Sequence, residues 1–194
     1  MAYSDFTLER VKADFSLTFN ETTDLFAGVE AIAPSVRLSE TLAEAVPLAS
    51  AISTEKAFSE LIIAPILLEV RRRSVHPVSL FSGTNFVVKP EIGLTGFCDF
   101  ILSRSLEQYF ISQPVVTVVE AKNGIIGSGL GQCAAEMVAA QIFNASELQI
   151  YGAVTTGTIW KFLKLQGSNL FIDRSEYYLN QIEIVLGILA TTVR

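Results

Sequence analysis

Apolar residues recur every three or four positions in five stretches of the chain, which is the spacing of one face of an α-helix. On this basis helices are predicted at residues 6–15, 42–50, 55–73, 130–143 and 175–193. Ser39 is the predicted start of the second helix, and Ser175 is the predicted N-cap of the last one. Pro65 lies inside the third helix and predicts a bend, because proline has no backbone N–H to donate.

Between these helices the pattern changes to alternation with a period of two and to β-branched and aromatic residues. Strands are predicted at residues 78–89, 96–103, 114–122, 148–155, 158–165 and 169–172. The third of these is a nearly continuous run of valine and threonine, which is typical of a strand buried on both faces.

The order helix, three strands, helix, strands, helix predicts an α/β fold with a central mixed β-sheet flanked by helices. Residues 55–194 are the predicted core. Residues 1–54 are predicted to form a mostly helical extension, acidic in charge, that packs on this core.

The composition indicates a large hydrophobic core. Half of the 194 residues are hydrophobic and 18% are charged, against about 25% charged in an average soluble domain. No apolar run approaches the roughly 20 residues of a membrane span. The amino terminus has no basic stretch followed by an apolar run, so a cytoplasmic protein is expected. The mean hydropathy of +0.43 favours a surface covered by a second copy or by a partner subunit.

The net charge of −6 argues against a general nucleic-acid coat, which needs a basic face. The negative charge is uneven along the chain, however. Residues 1–70 contain eleven acids and four bases, whereas residues 71–194 contain nine acids and ten bases. A phosphate-binding site in the second part is therefore compatible with the charge, although long-range attraction of DNA would be weak.

Cysteine and histidine offer little chemistry. Cys98 and Cys133 are 35 positions apart without metal-ligand spacing, and both are predicted to be small buried residues. His76 precedes a proline in a predicted connection and is interpreted as an exposed loop residue.

An acidic pair and a lysine lie within the apolar strands. Asp99 is embedded in one strand, and Glu120 and Lys122 end the next. Glu120 and Lys122 share one face because side chains alternate along a strand, and Asp99 meets them if the two strands are neighbours. Two carboxylates suit Mg²⁺ or Mn²⁺, and a neighbouring lysine can orient an attacking water. The pattern favours phosphodiester hydrolysis. Alternatively, Glu120 and Lys122 form an exposed ion pair and Asp99 caps a turn.

These residues resemble the PD-(D/E)xK nuclease superfamily, which has a restriction-endonuclease-like αβββαβ core. Asp99 matches the first acid of its pattern, and Glu120 and Lys122 match the ExK triplet. Cys98 stands where the superfamily often has proline. The resemblance implies Asp99 and Glu120 as metal ligands, Lys122 as the residue that positions water, and DNA as the substrate.

The resemblance also implies a glutamate on the preceding helix and, in a subset of members, a glutamine on the following one. Glu60 is the preferred glutamate, with Glu55 and Glu69 as the other acids of that helix. Gln132 is the preferred glutamine, and Glu136 and Gln141 are the alternatives. A catalytically silent subunit or interaction module that keeps the same core is the alternative function.

Overall fold

The computed structural model describes residues 1–194 and contains six α-helices and eight β-strands. The helices are α1 (Leu8–Asp14), α2 (Val36–Ile52), α3 (Glu55–Phe58), α4 (Ala64–Arg73), α5 (Gly127–Asn144) and α6 (Ile182–Thr192). The strands are β1 (Thr18–Asn20), β2 (Ser79–Asn85), β3 (Phe97–Ser103), β4 (Val115–Ala121), β5 (Ile150–Thr155), β6 (Ile159–Gln166), β7 (Asn169–Ile172) and β8 (Tyr177–Tyr178).

All eight strands belong to one sheet with the order β1-β7-β6-β5-β4-β3-β2, and β8 pairs with β6 beside this path. The pairs β4–β5 and β1–β7 are parallel, and the other pairs are antiparallel. Helix α5 connects the parallel strands β4 and β5, because parallel neighbours need a crossover. The predicted α/β fold with a mixed central sheet flanked by helices is confirmed.

Both faces of the sheet are covered by hydrophobic clusters. One cluster joins the sheet to α2, α4 and α6, and the other joins it to α5 and to the segment that contains α1. Strand β4 lies between them and is buried at every position, which explains its continuous apolar sequence. No helix is long and apolar enough to cross a membrane.

The helix predicted at 55–73 is helical throughout but changes its geometry in the middle. A π-helical segment, Ser59–Ile63, lies between α3 and α4. Pro65 follows it in the first turn of α4. Proline cannot donate to the carbonyl four residues earlier, and a wider turn accommodates that loss. The predicted bend therefore takes the form of a π segment, and its residues Ser59 and Glu60 border a cavity at the end of the sheet described below.

Two predicted helix starts are wrong. Helix α2 begins at Val36, because Ser35 rather than Ser39 caps it by accepting a hydrogen bond from the Leu38 amide. Helix α6 begins at Ile182, and Ser175 is not its N-cap. The Ser175 amide donates to the Asp173 side chain, and the next residues pair with β6 as strand β8. Pairing with the sheet overrides the local helical pattern there.

Residues 1–54 also contribute to the sheet. Strand β1 has three residues, too few to give a detectable alternation, and it pairs with β7 at the sheet edge. The side chains of Tyr3, Phe6 and Val11 are buried in the cluster beneath α5. The extension is thus packed on the α/β core along a broad surface.

Candidate active site at the end of strands β3 and β4

The two acids of the sequence pattern lie at the same end of the sheet, because β3 and β4 are antiparallel. Phe100 pairs with Val119 in this ladder, so Asp99 and Glu120 follow as the next positions on the two strands. The backbone amide of Ala121 donates to the Asp99 Oδ2 atom at 2.8 Å. This bond holds the Asp99 carboxylate against the last residue of β4.

Glu120 and Lys122 share one face of β4, as the alternation predicts. The Lys122 Nζ atom forms a direct ion pair with Glu120 Oε1 and also donates to Gln132 Oε1 at 3.3 Å. Ala121 turns to the opposite face and is buried in the other cluster. The side chains of Glu120 and Lys122 are 2% and 20% exposed, so they do not form the solvent-exposed pair of the alternative interpretation.

Helix α5 can approach Lys122 closely because Gly129 has no side chain. A Cβ atom at this position would lie 2.9 Å from Lys122 Cγ and 2.7 Å from Val154 Cγ1, both inside van der Waals contact. Gly129 therefore makes the space for the lysine side chain. The sequence pattern gives no sign of this role, since it depends on the packing of a helix on two strands.

Gln132 and Glu136 both reach this site. They are one helical turn apart on α5, and Gln132 Nε2 donates to Glu136 Oε1 at 3.1 Å. Glu136 is fully buried. The two residues are not alternatives, as the sequence pattern suggests, but lie in series behind Lys122. Gln141 lies near the other end of α5, where its amide is close to the Leu148 carbonyl.

The three acids of the preceding helix have different surroundings. Glu69 is buried among Ser35, Arg72 and Arg73 and lies away from the site. Glu60 is exposed and forms an ion pair with Lys56 at 3.7 Å.

Glu55 follows the N-cap Thr54, and Glu55 Oε2 accepts a hydrogen bond from the Asn123 amide at 3.0 Å. The negative charge of Glu55 acts on both Glu120 and Lys122. Glu55 thus couples electrostatically to the ExK residues, and Glu60 stands farther out on the same side.

A cavity of about 300 Å³ opens beside Asp99. Most of its lining residues are polar or charged, and they come from α3, the π segment, β2, β3 and β4. They are Glu55, Lys56, Ser59, Glu60, Ser82, Gly83, Asp99 and Ala121. Glu120 does not border it. No group of three or more His, Cys, Asp or Glu side chains is arranged to hold a metal ion.

Burial and mutual repulsion perturb the acids. Burial, with a further contribution from the Asp99 charge, raises the pKa of Glu120 from 4.5 to about 8, although Lys122 acts in the opposite direction. Burial and the Glu120 charge raise the pKa of Glu136 well above its ordinary value. Burial lowers the pKa of Lys122, but its hydrogen bond with Glu120 and the negative charges around it outweigh this and raise the pKa overall.

One oxygen of each buried carboxyl, Glu120 Oε2 and Glu136 Oε2, is buried without a hydrogen-bond partner. Unpartnered buried oxygens of this kind are rare in proteins. Carboxylate oxygens are the ligands that hard divalent cations prefer, so Glu120 and Asp99 each fit such an ion by their chemistry.

The two cysteines are buried as predicted, and burial raises the pKa of both thiols, which makes them poor nucleophiles. His76 is an exposed loop residue near the carboxyl end of α4. Neither the cysteines nor the histidine adds to the chemistry of the site.

We compared the chain with protein-family models, curated proteins and solved structures, and none of them matches it.

Proposed function

We propose that this protein is a metal-dependent nuclease that hydrolyses phosphodiester bonds of DNA. The observation that carries the proposal is the meeting of Asp99, Glu120 and Lys122 at one end of the sheet, with an unpartnered buried oxygen on Glu120. The order α4-β2-β3-β4-α5-β5 is also the αβββαβ order that the resemblance to the PD-(D/E)xK superfamily implies. It supports a restriction-endonuclease-like core as part of the proposal.

Asp99 and Glu120 are the proposed ligands of Mg²⁺ or Mn²⁺. A bound divalent cation supplies charge stabilisation at a phosphoryl oxygen and lowers the pKa of water. The raised pKa of Glu120 fits this assignment, because a buried carboxyl beside a second acid is stabilised in its charged form by a cation.

Lys122 is the proposed residue that positions the attacking water. Its ammonium group is fixed by Glu120 on one side and by Gln132 on the other. An ammonium group has three N–H donors, so one remains for a water or a phosphate oxygen. Held in this way, it stabilises the negative charge that develops on the oxygens around phosphorus.

The cavity beside Asp99 is the proposed entry for the phosphodiester backbone. Lys56 borders it with an exposed ammonium group. Glu55 and Glu60 border it as well, so the site is acidic overall and attraction of DNA at a distance is weak. The affinity for DNA therefore depends on the bound cation, and salt-dependent binding without metal should be low.

The decisive experiment is cleavage of single- and double-stranded DNA by the purified chain with Mg²⁺ or Mn²⁺. Lys122→Ala should lose about 100-fold or more of the rate, since groups that stabilise transition-state charge have effects of that size. Lys89→Ala is the matched control, because Lys89 is exposed and forms no ion pair. Absence of metal-stimulated cleavage, together with absence of divalent-cation binding, would refute the proposal.

A catalytically silent module is the second candidate function. It is favoured by the ion pair that already occupies Glu120 and by the absence of Glu120 from the border of the cavity. If the protein is a silent module, Mg²⁺ should not change its unfolding temperature. If it is a nuclease, Mg²⁺ should raise the unfolding temperature, and Asp99→Asn should abolish this increase. A thermal unfolding series with and without Mg²⁺ separates the two.

An oligomer and a cytoplasmic location stay predictions. Support for an oligomer comes from a loop after β3 that exposes three large apolar side chains, Leu106, Tyr109 and Phe110. Sedimentation analysis of the wild type and of a variant with serine at these three positions tests whether a second copy covers them.

A further inference from the structure

We propose that Glu136 is a positioning residue for Lys122 and that it acts through Gln132. The expected effect on kcat rests on the proposed nuclease function, whereas the hydrogen-bonded positioning of Lys122 does not. Three polar side chains form a chain of hydrogen bonds from the helix interior to the end of β4. Lys122 donates to Gln132 at 3.3 Å, and Gln132 donates to Glu136 at 3.1 Å.

The direction of this chain follows from the chemistry of an amide. Gln132 offers one oxygen, which accepts, and one NH₂ group, which donates. A lysine ammonium group can only donate, so it requires the amide oxygen. The opposite orientation of the amide would place its NH₂ group against the ammonium group. An acceptor on the far side of Gln132 therefore selects the productive orientation.

Glu136 supplies that acceptor and is placed by helix geometry to do so. It follows Gln132 by four residues, and side chains with this spacing lie on the same face of a helix. Its Oε1 atom accepts the Gln132 hydrogen bond, and no basic side chain pairs with it. Gln132 thus lies between the ammonium group of Lys122 and the Glu136 carboxyl, which fixes the orientation of the Gln132 amide.

A packing role alone does not account for a glutamate at this position. Glu136 is fully buried, and its Oε2 atom has no partner. Burial of an unpaired polar atom destabilises the folded state, and the buried residues of the cluster to which this part of α5 contributes are apolar. An apolar residue would lose the bond to Gln132 and the contact of the carboxyl with the Cys98 thiol.

Glu136→Gln is the conservative variant, because a glutamine keeps an acceptor oxygen at the same length of side chain. Glu136→Leu removes the acceptor and keeps approximately the volume. Met137→Leu is the matched control, since it alters the buried side of the same helix turn without a change in any hydrogen bond of Gln132. Circular dichroism confirms folding of each variant.

The test measures the accessibility of the Lys122 ammonium group to an acetylating reagent by peptide mass spectrometry. Exposed Lys89 is the reference inside the same molecule. Glu136→Leu should raise the Lys122 labelling rate about three- to tenfold, the factor that loss of one hydrogen bond produces. Gln132→Leu should raise it by a similar factor, and the double variant should add nothing further. Glu136→Gln and Met137→Leu should leave it unchanged.

Independent effects of the two substitutions would overturn the inference, as would equal effects of Glu136→Leu and Met137→Leu. If Glu136→Leu does not fold, comparison of Gln132→Leu with Glu136→Gln still decides, because labelling that rises in both would contradict the role of the acceptor. These outcomes do not require activity, so they are separate from failure of the proposed function.

Where wild-type cleavage is observed, Glu136→Leu should lower kcat about tenfold and leave KM for DNA unchanged, as for other residues that orient a catalytic group. A fall in kcat of the same size in the Gln132→Leu background would contradict coupling through Gln132.

Discussion

Glu120 should make the stability of the metal-free protein fall as the pH rises from about 5 to about 8. Its folded-state pKa is raised from 4.5 to about 8, first by burial and then by the Asp99 charge. Between these two values the folded protein keeps a proton that the unfolded chain has lost. The contribution is fully present below the lower value and disappears as the pH passes the upper one.

The size of this effect follows from the shift itself. A pKa difference of one corresponds to about 1.36 kcal/mol. A rise in the pKa of Glu120 from 4.5 to about 8 therefore corresponds to a loss of about 5 kcal/mol in the free energy of unfolding between low and high pH. Solvent screening reduces it little, because the Glu120 side chain is only 2% exposed. Glu136 acts in the same direction, since its pKa is also raised.

The assay is urea unfolding at pH 5, 6, 7 and 8 in the presence of a chelator. The wild type should lose stability across the series, and Glu120→Gln should flatten the profile because a glutamine does not titrate. The double variant with Glu136→Gln should be flatter still. Glu91→Gln is the control, since Glu91 is exposed in a turn far along the chain from both acids. A constant or rising wild-type profile, or an unchanged slope in Glu120→Gln, would refute the reasoning.

Three further predictions concern packing. Gly129→Ala should lower the free energy of unfolding by about 1–3 kcal/mol through overpacking and should displace Lys122. Gly127→Ala is the control, because its added Cβ would meet only one side chain, at 3.9 Å, and should have neither effect. Thermal unfolding measures the stability of both variants, and the cleavage assay measures the effect on Lys122. Gly131→Ala would bring a Cβ onto the Phe6 carbonyl oxygen and to 2.6 Å from the Thr7 carbonyl carbon, so it should detach the amino-terminal segment. Trypsin should then cleave the chain after Arg10 and Lys12 faster in limited proteolysis. Glu69→Ala should lower the free energy of unfolding in urea by about 1.5–3 kcal/mol, because it removes a buried carboxylate that accepts from Ser35 and from two exposed arginines. A loss below that of the exposed Glu44→Ala would contradict this.

The amino-acid pattern was sufficient for most of the sheet and for the principal contacts of the site. Strand β7 has the predicted bounds, and β4 was recognised from its unbroken apolar run. The shared face of Glu120 and Lys122 follows from strand alternation alone. Asp99 lies at the same end of the sheet because the two strands are adjacent and antiparallel, and there it accepts a hydrogen bond from the Ala121 amide. These features depend on local periodicity, which a sequence displays directly.

Other features depend on contacts between distant segments. The start of α6 moves because β8 pairs with β6. The cavity beside Asp99 is bordered by residues from α3, the π segment and three strands, which only the packing of these elements brings together. The electrostatic role of Glu55 arises from its distance to Glu120 across the fold, and no spacing along the chain encodes that distance.

The sequence by itself thus determined the α/β order and the two acids and the lysine at the end of the central strands. Only the tertiary structure decided that Gln132 and Glu136 act in series and that Gly129 gives Lys122 its space. The physical reason is the separation along the chain of the residues that interact. Strand alternation and helix periodicity are set by neighbours a few residues away, whereas burial, pKa and hydrogen-bond partners are set by atoms that only the packing of α5 on the sheet brings together.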